Sequence, residues 1–120
     1  MKQYFENKKI LITGHTGFKG SWLSLWMTML GAKVFGVSKS IPTNPSHFKF
    51  LKLNLEKDIR LNIFDSKKVL HTISEIKPDY VFHLAAQPLV AISYKDPLET
   101  FKTNIIGTAN LLESLRKIQN

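Results

Sequence analysis

Lys9-Ile10-Leu11-Ile12-Thr13 runs without a break into Gly14-His15-Thr16-Gly17-Phe18-Lys19-Gly20, and the fold is decided at that junction. Three consecutive large aliphatics read as a central parallel strand, buried on both faces. A Gly-x-x-Gly-x-x-Gly that leaves a strand and opens a helix is a dinucleotide-binding turn. Gly14 permits the tight turn, Gly17 lets backbone approach a pyrophosphate, and Gly20 lets helix and strand pack closely. The helix that follows offers free N–H groups and the positive end of its dipole to phosphates. Thr16, Phe18 and Lys19 are therefore candidate cofactor contacts with the three glycines. Lys19 reads as a phosphate partner or as a solvated lysine at a helix start, and we take the first. A glycine turn without a ligand is the plain alternative, and its context argues against it.

Working outward, Trp22, Leu23, Leu25, Trp26, Met27, Met29 and Leu30 predict a helix apolar nearly all round, packed between layers, with both tryptophans in the core. Gly31 is its stop. Lys33-Val34-Phe35-Gly36-Val37 is a second strand, followed by a loop over Ser38 to Ser46 that holds Pro42, Asn44 and Pro45. His47 to Leu53 predicts a short helix turning into a third strand that ends near Asp58-Ile59-Arg60. Asp65 caps a helix bearing Val69, Leu70, Ile73 and Ile76, closed by Pro78. Tyr80 to Leu84 is the fourth strand. Asp96, Pro97 and Glu99 form a capping box opening a helix that, if it reaches Ile118, is roughly 33 Å long. Strands alternating with helices predict an α/β, Rossmann-type parallel sheet of order 3-2-1-4 with helices on both faces. At 120 residues we expect one incomplete, doubly wound domain.

Composition excludes several classes of function. With 43% hydrophobic and 22% charged residues the chain is an ordinary globular one. It has no cysteine, so disulfides, thiolate metal sites and cysteine nucleophiles are out. The lysines behind the net charge of +8 are scattered from Lys2 to Lys117, so we expect no nucleic-acid partner. The start is polar and the apolar stretch from Trp22 to Leu30 is short, so neither a signal peptide nor a membrane span is expected. A cytoplasmic protein without a metal site is the resulting expectation.

The spacing of the glycines is that of the short-chain dehydrogenase/reductase superfamily. Thr13 to Leu23 resembles more closely the loop of the CDP-glucose 4,6-dehydratases, extended members of it. Pro42 to Phe48, Asp58-Ile59-Arg60, His83 to Val90, Ser93-Tyr94 and Thr103 to Thr108 match that family in the same order. His15 with Lys19, and Gln87-Pro88, point to the dehydratases in particular. The resemblance implies NAD as cofactor, a sugar-nucleotide substrate, and a place in deoxysugar synthesis for a surface polysaccharide; a homo-oligomer is expected from the unpaired edge and apolar faces of the fourth strand. It implies that Asp58 bonds the adenine amino group with Ile59 on the ring. It also implies that Ala85, Ala86 and Gln87 admit ribose and pyrophosphate, and that Asn104 is a structural and proton-relay position.

Histidines read differently. His15 has no carboxylate nearby in sequence and reads as a loop conformer; His83 reads as a hydrogen-bonded core residue, and His47 and His71 as surface. Two departures stand out. No Asp or Glu lies between Ser21 and Leu55, where an acid ordinarily takes the adenosine ribose hydroxyls. Lys39 and Ser40 stand there instead, which leaves NADP open beside NAD. Ala91 replaces the family's usual arginine. Catalysis in the superfamily uses a Tyr-x-x-x-Lys, and the one present, Tyr4 to Lys8, precedes the first strand. We expect no catalytic residue here, the reacting groups beyond Asn120, and no turnover by this chain alone. Another sugar-nucleotide epimerase or dehydratase, or a non-catalytic dinucleotide sensor, are the competing readings.

Overall fold

The structure is a computed structural model and describes residues 1–119. The elements are α1 (Lys2–Phe5), β1 (Lys9–Thr13), α2 (Phe18–Met29), β2 (Lys33–Ser38), α3 (His47–Leu51), β3 (Lys57–Arg60), α4 (Ser66–Ile76) and β4 (Tyr80–His83). They are followed by α5 (Val90–Lys95), α6 (Pro97–Phe101), a π-helical turn (Lys102–Ile106) and α7 (Gly107–Gln119). The four strands form one parallel sheet in the order β3-β2-β1-β4. That is the predicted order, and the predicted Rossmann-type class.

Alternation along β1 divides the interior in two. Ile10 and Ile12 pack with Val34 and Met27 on the α2 side. Leu11 packs on the opposite face with Phe35, Val37, Val69, Ile73, Ile76 and Leu111, under α4 and α7. Period-two side chains on a central strand thus demand helices on both faces. Both are present. Asp65 caps α4 by accepting from the Lys68 N–H at 3.1 Å, as expected.

α2 corrects one expectation. Trp22 and Trp26 are each half exposed and Met29 more so, so this helix is not wrapped between layers. Its buried residues are Gly20, Ser21, Ser24 and Met27. Small residues let the helix lie close on the sheet, and closeness leaves no room on that face for indoles. Two short helices, α1 and α5, went unread in the sequence because each is under two turns and lacks a side-chain cap. The long C-terminal helix is continuous, but five residues of it wind as a π turn. Among the described residues no helix is long and apolar enough to cross a membrane.

Candidate dinucleotide site

The loop after β1 is built from backbone. Gly14 has φ +74°, and its N–H donates to the Val37 carbonyl at 2.7 Å. A Cβ on Gly14 would sit 2.7 Å from the Ala85 nitrogen, and one on Gly20 only 2.0 Å from the Gly14 oxygen. Both glycines are therefore demanded by contact with other backbone. Gly17 is the N-cap of α2 without a side-chain cap, and no acid stands in the first turn. The helix thus presents its N-terminal N–H groups and dipole uncompensated, as an anion site requires. Thr16 is buried, and its hydroxyl bonds the Ser40 carbonyl at 2.6 Å and lies 3.0 Å from Ser38 Oγ. It moors the loop to the end of β2.

A cleft of about 790 Å³ opens at the carboxyl edge of the sheet, lined by Gly14, Thr16, Gly17, Phe18, Lys19, Gly20, Ser40, Ala85, Ala86 and Gln87. These are ten of the thirteen residues singled out from the sequence. The volume suits a cofactor-sized ligand. Leu61, Asn62 and Ile63 beyond β3, and Glu99 and Thr103 from the last helices, also line it. Nothing in the sequence marked them as cleft residues, although Glu99 stands in the capping box and Thr103 in a matched motif, because only the fold brings them to the edge.

Asp58, Ile59 and Asn104 do not line the cleft. Asp58 instead faces His15, whose Nε2 lies 2.6 Å from its Oδ1, and receives Arg60 at 2.7 and 3.2 Å. The His15 ring is fully buried, edge-on to Phe48 at 5.1 Å, and fills the space a Cβ on Gly36 would claim. His15 has no carboxylate nearby in sequence, and its partner Asp58 lies 43 residues away. Burial holds the His15 pKa below its ordinary value despite the hydrogen bond to Asp58. Its Nδ1 finds no hydrogen-bond partner among the described residues. Burial also works against the Asp58 carboxylate, but hydrogen bonds from His15 and Arg60 prevail and lower its pKa. Ile59 packs against the α4 side of the core.

His83 is the core histidine expected, and its partners fix its tautomer. Thr13 Oγ1 accepts the Leu84 and Ala85 N–H groups at 3.2 Å each, so its own proton goes to His83 Nδ1, 2.6 Å away. His83 Nε2–H then donates to Thr108 Oγ1 at 2.9 Å, and Thr108 donates to the Asn104 carbonyl at 2.7 Å. Burial lowers the His83 pKa, consistent with this neutral ring. Asn104, inside the π turn, clamps Gln87 from both sides: it accepts its N–H at 2.8 Å and donates to its carbonyl at 3.2 Å. The cleft floor at Ala85–Gln87 is thereby tied to β1 and to the last helix.

Other residues depart from expectation. His47 is half-buried, bonded to Ser21 Oγ at 2.6 Å, with Trp22 and Phe18 against its ring. Ser93 and Tyr94 lie on α5, where Ser93 bonds the Val90 carbonyl and Tyr94 is largely exposed. The capping box forms only by half. Asp96 accepts the Glu99 N–H at 3.0 Å, but the Asp96 N–H goes to the Ile92 carbonyl at 2.8 Å. Glu99 turns instead toward Lys39, whose Nζ is 3.4 Å from its Oε1.

The chain matches the family model described as GDP-mannose 4,6 dehydratase over residues 11–120. It is 49% identical to CDP-glucose 4,6-dehydratase of Salmonella typhimurium, across 99% of this chain and 33% of that protein. It is 36% identical to GDP-mannose 4,6-dehydratase of Vibrio cholerae, across 92% of this chain and 32% of that one. Among solved structures, UDP-glucose 4-epimerase of Thermotoga maritima superposes with TM-score 0.82 at 36% identity, covering 92% of this chain and 34% of that one. The Thermus thermophilus epimerase, solved in complex with NAD, gives 0.81 at 28% identity, covering 92% and 34%. The chain spans about a third of the length of the relatives it matches. With a glycine loop, a cleft at the sheet's carboxyl edge and a family match over nearly all its residues, the chain belongs to the GDP-mannose 4,6-dehydratase family of nucleotide-sugar enzymes.

Proposed function

We propose that this chain is the NAD-binding part of a sugar-nucleotide 4,6-dehydratase that removes water from CDP-glucose. The observation that carries the reading is the cleft between the uncapped start of α2 and the Ala85–Gln87 segment. The glycine contacts at Gly14 and Gly20 leave that cradle to backbone N–H groups, which suits a pyrophosphate. The loop holds the pyrophosphate and Ala85 to Gln87 admit the ribose, while Asn104 orients Gln87. Ser40 stands beside the adenosine. Asp58, fixed by hydrogen bonds with His15 and Arg60, and Ile59 stand on β3 outside the cleft lining. When bound, the cofactor supplies a hydride acceptor. The relatives named for CDP-glucose and for NAD support substrate and cofactor. Deoxysugar synthesis for a surface polysaccharide, in the cytoplasm, is the setting proposed.

The residues here bind and orient, and the proton-moving groups are proposed to lie outside this stretch. Tyr4 sits in α1, whose Phe5 ring meets Tyr80 at 5.4 Å. Tyr80 opens β4, so Tyr4 stands at the amino edge of the sheet, on the order of 13 Å from the cleft. A homo-oligomer is also proposed; Leu98, Phe101, Ile105 and Leu112 are exposed along the last helices as apolar surface for a partner copy. The test is calorimetric titration with NAD beside an assay of CDP-glucose dehydration. The 120-residue chain is expected to bind NAD weakly or not at all and to show no turnover, and the whole protein to bind it. Turnover by the chain alone would overturn the division of labour, and absence of NAD binding by the whole protein would overturn the site.

A further inference from the structure

The end of β2 carries no acid, yet a carboxylate reaches it. We infer that Glu99 supplies from the last helices the charge that β2 lacks, and so sets the preference for a dinucleotide without a 2′-phosphate. The inference rests on the dinucleotide reading of the cleft and goes beyond it, to the choice between two cofactors.

Glu99 and Lys39 both line the cleft, and their side chains meet across it, 60 residues apart in sequence. Lys39 directly follows the last residue of β2, where the ribose hydroxyls lie in sheets of this type. An unopposed lysine there is a natural partner for a 2′-phosphate. Here it is opposed. Glu99 Oε1 accepts from Lys39 Nζ and from Thr103 Oγ1, each at 3.4 Å. The local helix start does not need this carboxylate, because the Asp96 N–H that a capping box would hand to it is already bonded to Ile92. Both side chains are well exposed, Lys39 at 65% and Glu99 at 41%, so the pair adds little to stability. Its effect is on whatever enters: a 2′-phosphate would have to displace Glu99 from Lys39 and lie beside a carboxylate, whereas a ribose hydroxyl would meet an acceptor.

Calorimetric titration of the protein with NAD and with NADP tests this, for wild type, Glu99→Gln, and Glu99→Gln combined with Lys39→Ala. Wild type is expected to favour NAD. Glu99→Gln should shift the NADP-to-NAD affinity ratio toward NADP by roughly tenfold or more, since a freed lysine gains a charge-assisted bond to the phosphate. Adding Lys39→Ala should abolish that gain. Raising the salt should shrink it, because the groups are exposed. NAD binding with a ratio unmoved by Glu99→Gln, or both affinities moving by one factor, overturns the role of Glu99 and leaves the cleft standing. Binding of neither cofactor by wild type overturns the cleft reading and this inference with it.

Discussion

The two ends of the cleft are made of different material. At the glycine loop the walls are backbone, pressed so closely that Cβ atoms on Gly14 or Gly20 would overlap neighbouring main chain. At the end of β2 they include side chains joined far apart in sequence, Lys39 with Glu99. A wall of backbone can hold only what all dinucleotides share, the pyrophosphate. A wall of side chains can be rewritten by single substitutions, so selectivity belongs there. One end is strict and the other is adjustable.

The contrast predicts a steep gradient of mutational cost. Gly20→Ala should be the most damaging, because its Cβ would stand 2.0 Å from a backbone oxygen that has no freedom to yield. A loss of about 3 kcal/mol or more in unfolding free energy is expected, with NAD binding abolished. A Gly20→Ala protein that melts and binds like wild type would break the comparison at its strict end. Gly36→Ala comes next, since its Cβ would overlap the His15 ring. A side chain can move where backbone cannot, so roughly 2 kcal/mol is expected. In a His15→Ala background the cost of Gly36→Ala should largely vanish; additive losses in that double-mutant cycle would refute the contact.

The smallest effect is on pH dependence. His15 and His83 both have pKa values below the ordinary 6.5, chiefly through burial. Below pH 6.5 the unfolded chain then binds more protons than the folded one. Stability from these rings is therefore complete above that pH and declines as pH falls from it toward the folded values. The melting temperature should drop by about 2–5 °C between pH 7.5 and 5.5. His83→Gln should flatten that fall by removing one of the two titrating rings. A melting temperature that rises on acidification would contradict the burial of both.

Legibility in the sequence followed the same divide. Ile10 to Gly20 could be read because strand, turn and helix start are contiguous, and each glycine's reason is local. Asp65 and Gly31 were readable for the same cause. The partner of His15 was not legible because its carboxylate arrives on β3, and Trp22 and Trp26 were misplaced because apolar character alone does not say which face meets the sheet. Glu99 satisfied a local motif on paper, yet its side chain answers to Lys39 on another element. The absence of an acid on β2 was visible; its spatial replacement was not.

The π turn at Lys102–Ile106 has a consequence for the evolution of this helix by insertion and deletion. A π turn accommodates one residue more than regular winding would, so the phase of everything after it is offset from the phase before. Within the turn, Asn104 is indexed to Gln87. Downstream, Leu111 and Ser114 are indexed to the interior, with Gly107 set so close to Ile63 that a Cβ would meet its side chain. Excising one residue to restore regular winding would swing α7 by about 100° relative to Asn104, at 3.6 residues per turn. Either the cleft floor or the hydrophobic seam with α4 would lose its partner. The helix is geared, and this turn is the tooth that keeps its two halves in step.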